Sequence, residues 1–318
     1  MTSAGAEVAA RMSAAFASIS DGTGNAAEVR ASLKASRKPP KPVAVEWVEN
    51  RCIPGADGSA TLPVRIYHPA DAEPGPAGLP VLVYFHGGGF VLCDLDSHDS
   101  CCRRLANGVG AVVVSVDYRL APEFPFPAAV DDAWAAVEWV AAHVGELGAD
   151  PARLVVAGDS AGGNLAAVVA MRARDLGGPA IAFQALIYPV VDQRRKSSVS
   201  SPYTASGALT ADHMRWFTLQ YLGEDGDRTD VRASPILGEL VGLPPAHIVT
   251  GEYDPLREED EAYAESLRAA GVEATITCYE RMFHGFFNLC DHLPIARQAT
   301  EDVCGVLRNA LKGSSPWN

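Results

Sequence analysis

The chain has 318 residues, 48% hydrophobic and 20% charged, which is the balance of an ordinary globular protein with room for one large α/β domain or two small ones. The formal net charge of −13, with 26 scattered Lys and Arg, argues against binding the phosphates of nucleic acid. Seven cysteines, an odd count with no C-x-x-C pair, argue against a disulfide framework and a structural zinc site, so free thiols and a cytoplasmic setting are expected.

The first 38 residues read as two short helices. Val8, Met12, Phe16 and Ile19 form one apolar stripe, and Glu7 and Arg11 interrupt any signal-peptide core. Val29 and Leu33 mark the second helix. PPKP at 39–42 stops helix formation, and 43–50 and 62–69 then alternate as an antiparallel opening pair. Short continuous apolar runs follow at 81–85, 111–116, 153–158, 183–188 and 247–251, with a last strand at 274–279. Such runs suit strands covered on both faces. Helix-length stretches at 97–108, 128–143, 161–175, 257–270 and 294–311 separate or follow them, and Cys101 and Cys102 fall on the first of these, behind the sheet. The pattern predicts an α/β fold with a mostly parallel, doubly wound sheet. Nearly sixty residues part the strands at 183–188 and 247–251 and include a helix-like stretch at 210–222, an insertion long enough to form a lid with the N-terminal helices.

Ligands of open α/β sheets bind beyond the carboxyl ends of the strands, so the residues just after each run carry the chemistry. After 153–158 comes GDSAGG, with Ser160 between Gly158 and Gly162 and a helix directly behind it. A sharp strand-to-helix turn exposes the hydroxyl and leaves the N–H of Ala161 facing any oxyanion beside it. G-x-S-x-G alone arises by chance in roughly one chain in ten of this length. After 81–85 comes HGGGF (86–90), whose glycines leave backbone N–H groups uncovered; neither phosphate-loop pattern is present. After 247–251 and 274–279 come Asp254 and His284, so serine, acid and histidine follow the chain order expected of this elbow. The rivals are weaker. Glu252 lies too close to its strand end and Asp192 follows the wrong strand. His98, His213 and His292 sit in or near helix-like segments, and His86 is better placed to brace the glycine loop than to act as a base.

HGGGF, DYRLAPEFPFPAAVDD, GDSAGG, DPLRE and HGF, in that order, resemble the hormone-sensitive-lipase-like esterases, a branch of the α/β-hydrolases, over nearly the whole chain. The resemblance implies an α/β-hydrolase fold with about eight strands, helices on both faces and a helical cap. The cap would comprise residues 1–42 and 190–240, and the catalytic domain 43–189 and 241–318. It implies Ser160 as nucleophile, Asp254 as acid, His284 as base, and the N–H groups of Gly88, Gly89 and Ala161 as oxyanion hole. The expected reaction is hydrolysis of short- to medium-chain carboxylic esters through an acyl-enzyme, with no cofactor and no metal. A small-molecule ester is the expected partner, with no nucleic acid and no membrane, and monomer or homodimer stays open. An amidase or peptidase would use the same three residues; a non-catalytic small-molecule-binding relative is the remaining alternative, which the intact set disfavours.

Overall fold

In the computed structural model, residues 19, 24–37, 42–56, 61–194 and 209–312 are described. Among them, eight strands form one sheet in the order β1-β2-β4-β3-β5-β6-β7-β8. They are β1 (Trp47–Pro54), β2 (Thr61–His68), β3 (Leu79–Phe85), β4 (Val112–Val116), β5 (Ala149–Asp159), β6 (Phe183–Ile187), β7 (Ala246–Tyr253) and β8 (Ala274–Phe283). β2 runs antiparallel to β1 and to β4, and every other pairing is parallel. The chain therefore has the expected α/β-hydrolase architecture, with the turns after β3, β5, β7 and β8 on one edge of the sheet.

Seven α-helices are described: α1 (Ala26–Ser36), α2 (Asp99–Val109), α3 (Ala128–Ala142), α4 (Ala161–Leu176), α5 (Ala211–Leu222), α6 (Arg257–Ala269) and α7 (Pro294–Lys312). Their ends follow local chemistry. Asn25 caps α1 by accepting from the amides of Ala27 and Glu28. Thr210 and His213 form a reciprocal capping box on α5. α2 and α4 stop at Gly110 and Gly177, both left-handed.

The continuous apolar strands divide their side chains between two buried clusters. Val81, Val83 and Phe85 of β3 join Val112, Val114 and Val116 of β4 on the face covered by α3, α4 and α6. Leu82 and Tyr84 join Val113, Val155 and Ala157 on the face covered by α2 and α7. Burial on both sides is why these strands lack a polar alternation. Cys101 and Cys102 are buried on α2 as expected, and all seven cysteines are free thiols. Of the N-terminal stripe, Val8, Met12 and Phe16 lie outside the described residues, and Ile19 is buried in the same cluster as Val29 of α1. Among the described residues, no helix is long and apolar enough to cross a membrane.

Candidate active site

Ser160 occupies the turn between β5 and α4 with φ 55° and ψ −116°, a backbone that side-chain-bearing residues rarely adopt. The turn is over-determined. The Ser160 N–H donates to the Ile187 carbonyl at 2.8 Å, and its own carbonyl accepts from Asn164 and Val190 at 3.1 and 3.2 Å. A Cβ at Gly162 would overlap the carbonyl of Phe85, and one at Gly158 would overlap the backbone of Gly162. The glycines beside Ser160 are thus required by the close approach of α4 to β3 and β5.

His284 follows β8 directly, and Asp254 follows β7 directly. His284 Nδ1 lies 2.9 and 3.1 Å from the two carboxylate oxygens of Asp254, and its Nε2 lies 2.9 Å from Ser160 Oγ. A carboxylate only accepts, so Nδ1 carries the proton and Nε2 is left to accept from the serine hydroxyl. Asp254 is fully buried and also accepts from the Leu256 amide at 2.8 Å. The Tyr188 ring packs 4.7 Å from the imidazole and limits its swing.

The glycine loop leaves β3 on the other side of Ser160. Gly88 and Gly89 have φ of 112° and 62°. The Gly87 N–H is taken by Asp159 at 3.0 Å, whereas among the described residues no acceptor meets the amides of Gly88, Gly89 or Ala161. His86 braces the loop as expected. Its Nδ1 bonds the Gly87 carbonyl at 2.7 Å, its ring stacks on Tyr118, and burial and then the nearby His98 push its pKa down to about 4. A cavity of about 320 Å³ opens over Ser160, walled by Leu33 of α1, Met214 and Phe217 of α5, and Phe90, Leu209 and Leu289. A larger groove of about 840 Å³, lined by Trp134, Trp139 and Arg172, contains none of these residues. Among the described residues, no group of three or more His, Cys, Asp or Glu could hold a metal ion.

Residues 82–288 match the family described as the alpha/beta hydrolase fold. The chain belongs to that family. This α/β-hydrolase is 43% identical over 290 residues to the carboxylesterase NlhH of Mycobacterium tuberculosis, an alignment covering 89% of this chain and 88% of the relative. It is similar to the hyperthermophilic esterase of Pyrobaculum calidifontis, with a TM-score of 0.82 and 44% identity over 90% of this chain and 94% of the other. The LAE6 Ser161Ala mutant, an α/β-hydrolase enzyme from the Lake Arreo metagenome, superposes with a TM-score of 0.89 at 38% identity over 98% of this chain and 99% of the other.

All six residues singled out from the sequence of this α/β-hydrolase lie on one edge of its sheet, and three of them, Ser160, His284 and Asp254, are joined by hydrogen bonds. Of the rivals, His98 lines the same cavity beside Asp159, and three others lie away from the hydrogen-bonded set. Glu252 is inside β7 and accepts from the Arg281 amide at 2.6 Å, Asp192 pairs with Arg194 at 2.9 Å, and His213 caps α5.

Sequence reasoning missed Asp159 and the groups around it. This buried carboxylate, next to Ser160, accepts from Tyr84 Oη at 2.8 Å, from the Gly87 amide, and from Asn288 Nδ2 at 2.7 Å, and lies 3.1 Å from His98 Nε2. Burial pushes its pKa up, but the charge of His98 and the hydrogen bonds from His98 and Tyr84 outweigh that, so the carboxyl sits below its ordinary value. It therefore ties the serine turn to the glycine loop as a charged acceptor. The available signal was a carboxylate closing an otherwise apolar strand, which needs partners to be buried at all.

Proposed function

We propose that this α/β-hydrolase cleaves carboxylic esters of short to medium acyl chain through an acyl-enzyme. The carrying observation is the unbroken path of hydrogen bonds from Ser160 Oγ through His284 to Asp254, set below an apolar cavity. Ser160 Oγ attacks the ester carbonyl carbon as His284 Nε2 takes its proton; the carbonyl electrons move onto oxygen, and the amides of Gly88, Gly89 and Ala161 receive that oxyanion. Collapse expels the alcohol, to which His284 returns the proton. Water, deprotonated by His284, then attacks the acyl-serine, and the second collapse releases the acid and restores Ser160. Asp254 holds the imidazole in one tautomer and stabilises the imidazolium formed in each half-reaction.

The esterase names of the relatives support ester hydrolysis. Enclosure by α1 and α5 supports a cap built from residues 1–42 and 190–240, and a cavity of this size favours short to medium acyl groups over long lipid chains.

The test is Ser160→Ala with nitrophenyl esters of increasing chain length, paired amides, and an organophosphate serine probe. Wild type takes the label and turns over esters faster than amides; the variant does neither yet keeps its circular dichroism. Retention of more than about a tenth of wild-type kcat by the folded variant would overturn the reading, since losing such a nucleophile costs on the order of a millionfold.

A further inference from the structure

Arg30 is a buried-carbonyl anchor that the chemistry above leaves unused. It lies on α1, three residues before the pocket-lining Leu33. Its Nε donates to the Val91 carbonyl and its Nη2 to the Ala121 carbonyl, both at 2.6 Å, while its Nη1 and Nη2 reach the two oxygens of Glu123 at 2.9 and 2.8 Å. Val91 and Ala121 are fully buried, and among the described residues no other group donates to either carbonyl. An unmet buried carbonyl is costly, and this planar fork satisfies one in each of the two segments at once.

Those segments hold the glycine loop. The amides of Val91 and Leu92 donate to the Gly88 carbonyl at 3.1 and 2.8 Å, closing the turn that Gly88 opens. The Ala121 amide donates to the Phe90 carbonyl at 2.9 Å, so Arg30 bridges two stretches already joined at Phe90. The same end of the molecule is tied once more, where Trp216 Nε1 donates to the Gly24 carbonyl at 3.2 Å and the neighbouring Phe217 ring covers Gly89.

We propose that Arg30 is a positioning residue for the oxyanion amides, so that α1 both walls the acyl pocket and fastens the turn carrying Gly88 and Gly89. This rests on the ester-hydrolase reading above. A helix that served only as a pocket wall would affect long acyl chains through KM. A helix that fastens the oxyanion turn sets kcat for every ester, down to the acetyl ester.

Arg30→Met keeps the stem and removes every donor. With nitrophenyl acetate its kcat falls about tenfold to a hundredfold, the scale of a donor displaced by about an ångström, while KM stays within about twofold. The loss is the same for butyrate and hexanoate. Glu123→Gln, which leaves both carbonyl bonds in place, keeps the acetate kcat within about twofold of wild type. Arg30→Lys, the variant that serves if Arg30→Met does not fold, reaches only one carbonyl at a time and gives a smaller loss in the same parameter. A folded Arg30→Met or Arg30→Lys with wild-type acetate kcat, or a loss that appears in KM and grows with chain length, overturns the proposal alone. A wild type inactive on every ester removes the ester-hydrolase reading and this proposal with it.

Discussion

Asp254 and Glu252 stand two residues apart on one chain segment, and only Asp254 meets His284. Glu252 belongs to β7 at the irregularity between Gly251 and Tyr253, and its carboxylate accepts the amide of Arg281, whose φ is 61°. Glu252→Gln keeps an acceptor oxygen for that amide, so kcat is expected to stay within about tenfold of wild type. Asp254→Asn turns a pure acceptor into a side chain that can also donate, which favours the wrong imidazole tautomer. Its kcat is expected to fall by up to about ten-thousandfold with the fold intact. Steady-state kinetics on both purified variants decide between them, and a larger loss in Glu252→Gln would move the acid to that residue. The sequence set Glu252 aside because it lies too close to its strand end, and Glu252 does fall inside β7. The Asp159 network was not legible in the sequence, because its meaning depends on Tyr84, His98 and Asn288, which come from three distant segments.

At the scale of elements, strands buried on both faces were the most legible, and their ends the least. β7 and β8 run to Tyr253 and Phe283, beyond the apolar runs that announced them, because Glu252, Glu280 and Arg281 are exposed or half-buried and interrupt the hydrophobic signal. A single boundary also hid His98. Read as part of a helix over 97–108, it is instead the residue before α2, and its ring turns back to Asp159. The helix at 211–222 was legible from its pattern, but what it covers was not, since that depends on where the insertion lands. Phe217 lies against Gly89 and bounds the cavity. Phe217→Ala is expected to lengthen the pocket and move the acyl-chain optimum upward. Room for two more methylenes, at about 0.8 kcal/mol each, raises kcat/KM for the longer ester relative to acetate by about tenfold. A chain-length series on the variant checks this, and an unchanged optimum would mean that Phe217 does not bound the acyl site.

For the whole molecule, pH acts through buried groups whose shifts oppose one another. His86, with its pKa pushed down to about 4, resists a proton that the unfolded chain accepts near its ordinary value of 6.5. That difference removes stability as pH falls between about 6.5 and 4. Asp117, at the end of β4, goes the other way. Burial and then the negative charges of Asp94 and Asp96 raise its carboxyl from 3.8 to about 6, only partly countered by Arg65. In the folded chain Asp117 holds a proton that the unfolded chain has released, so its ionisation penalises folding in full above about pH 6, and the penalty disappears below about pH 4. Asp117→Asn removes the charge while the backbone bond from its amide to the Pro63 carbonyl remains. The variant is therefore expected to be more stable than wild type by about 1–2 kcal/mol at pH 8, after discounting for partial exposure to solvent. The gain shrinks through pH 6 and vanishes near pH 4. Thermal unfolding of both proteins from pH 4 to 8 reads this difference, and a variant less stable at pH 8, or a gain that grows on acidification, would show that Asp117 is held by a favourable partner instead of being penalised by burial and its acidic neighbours.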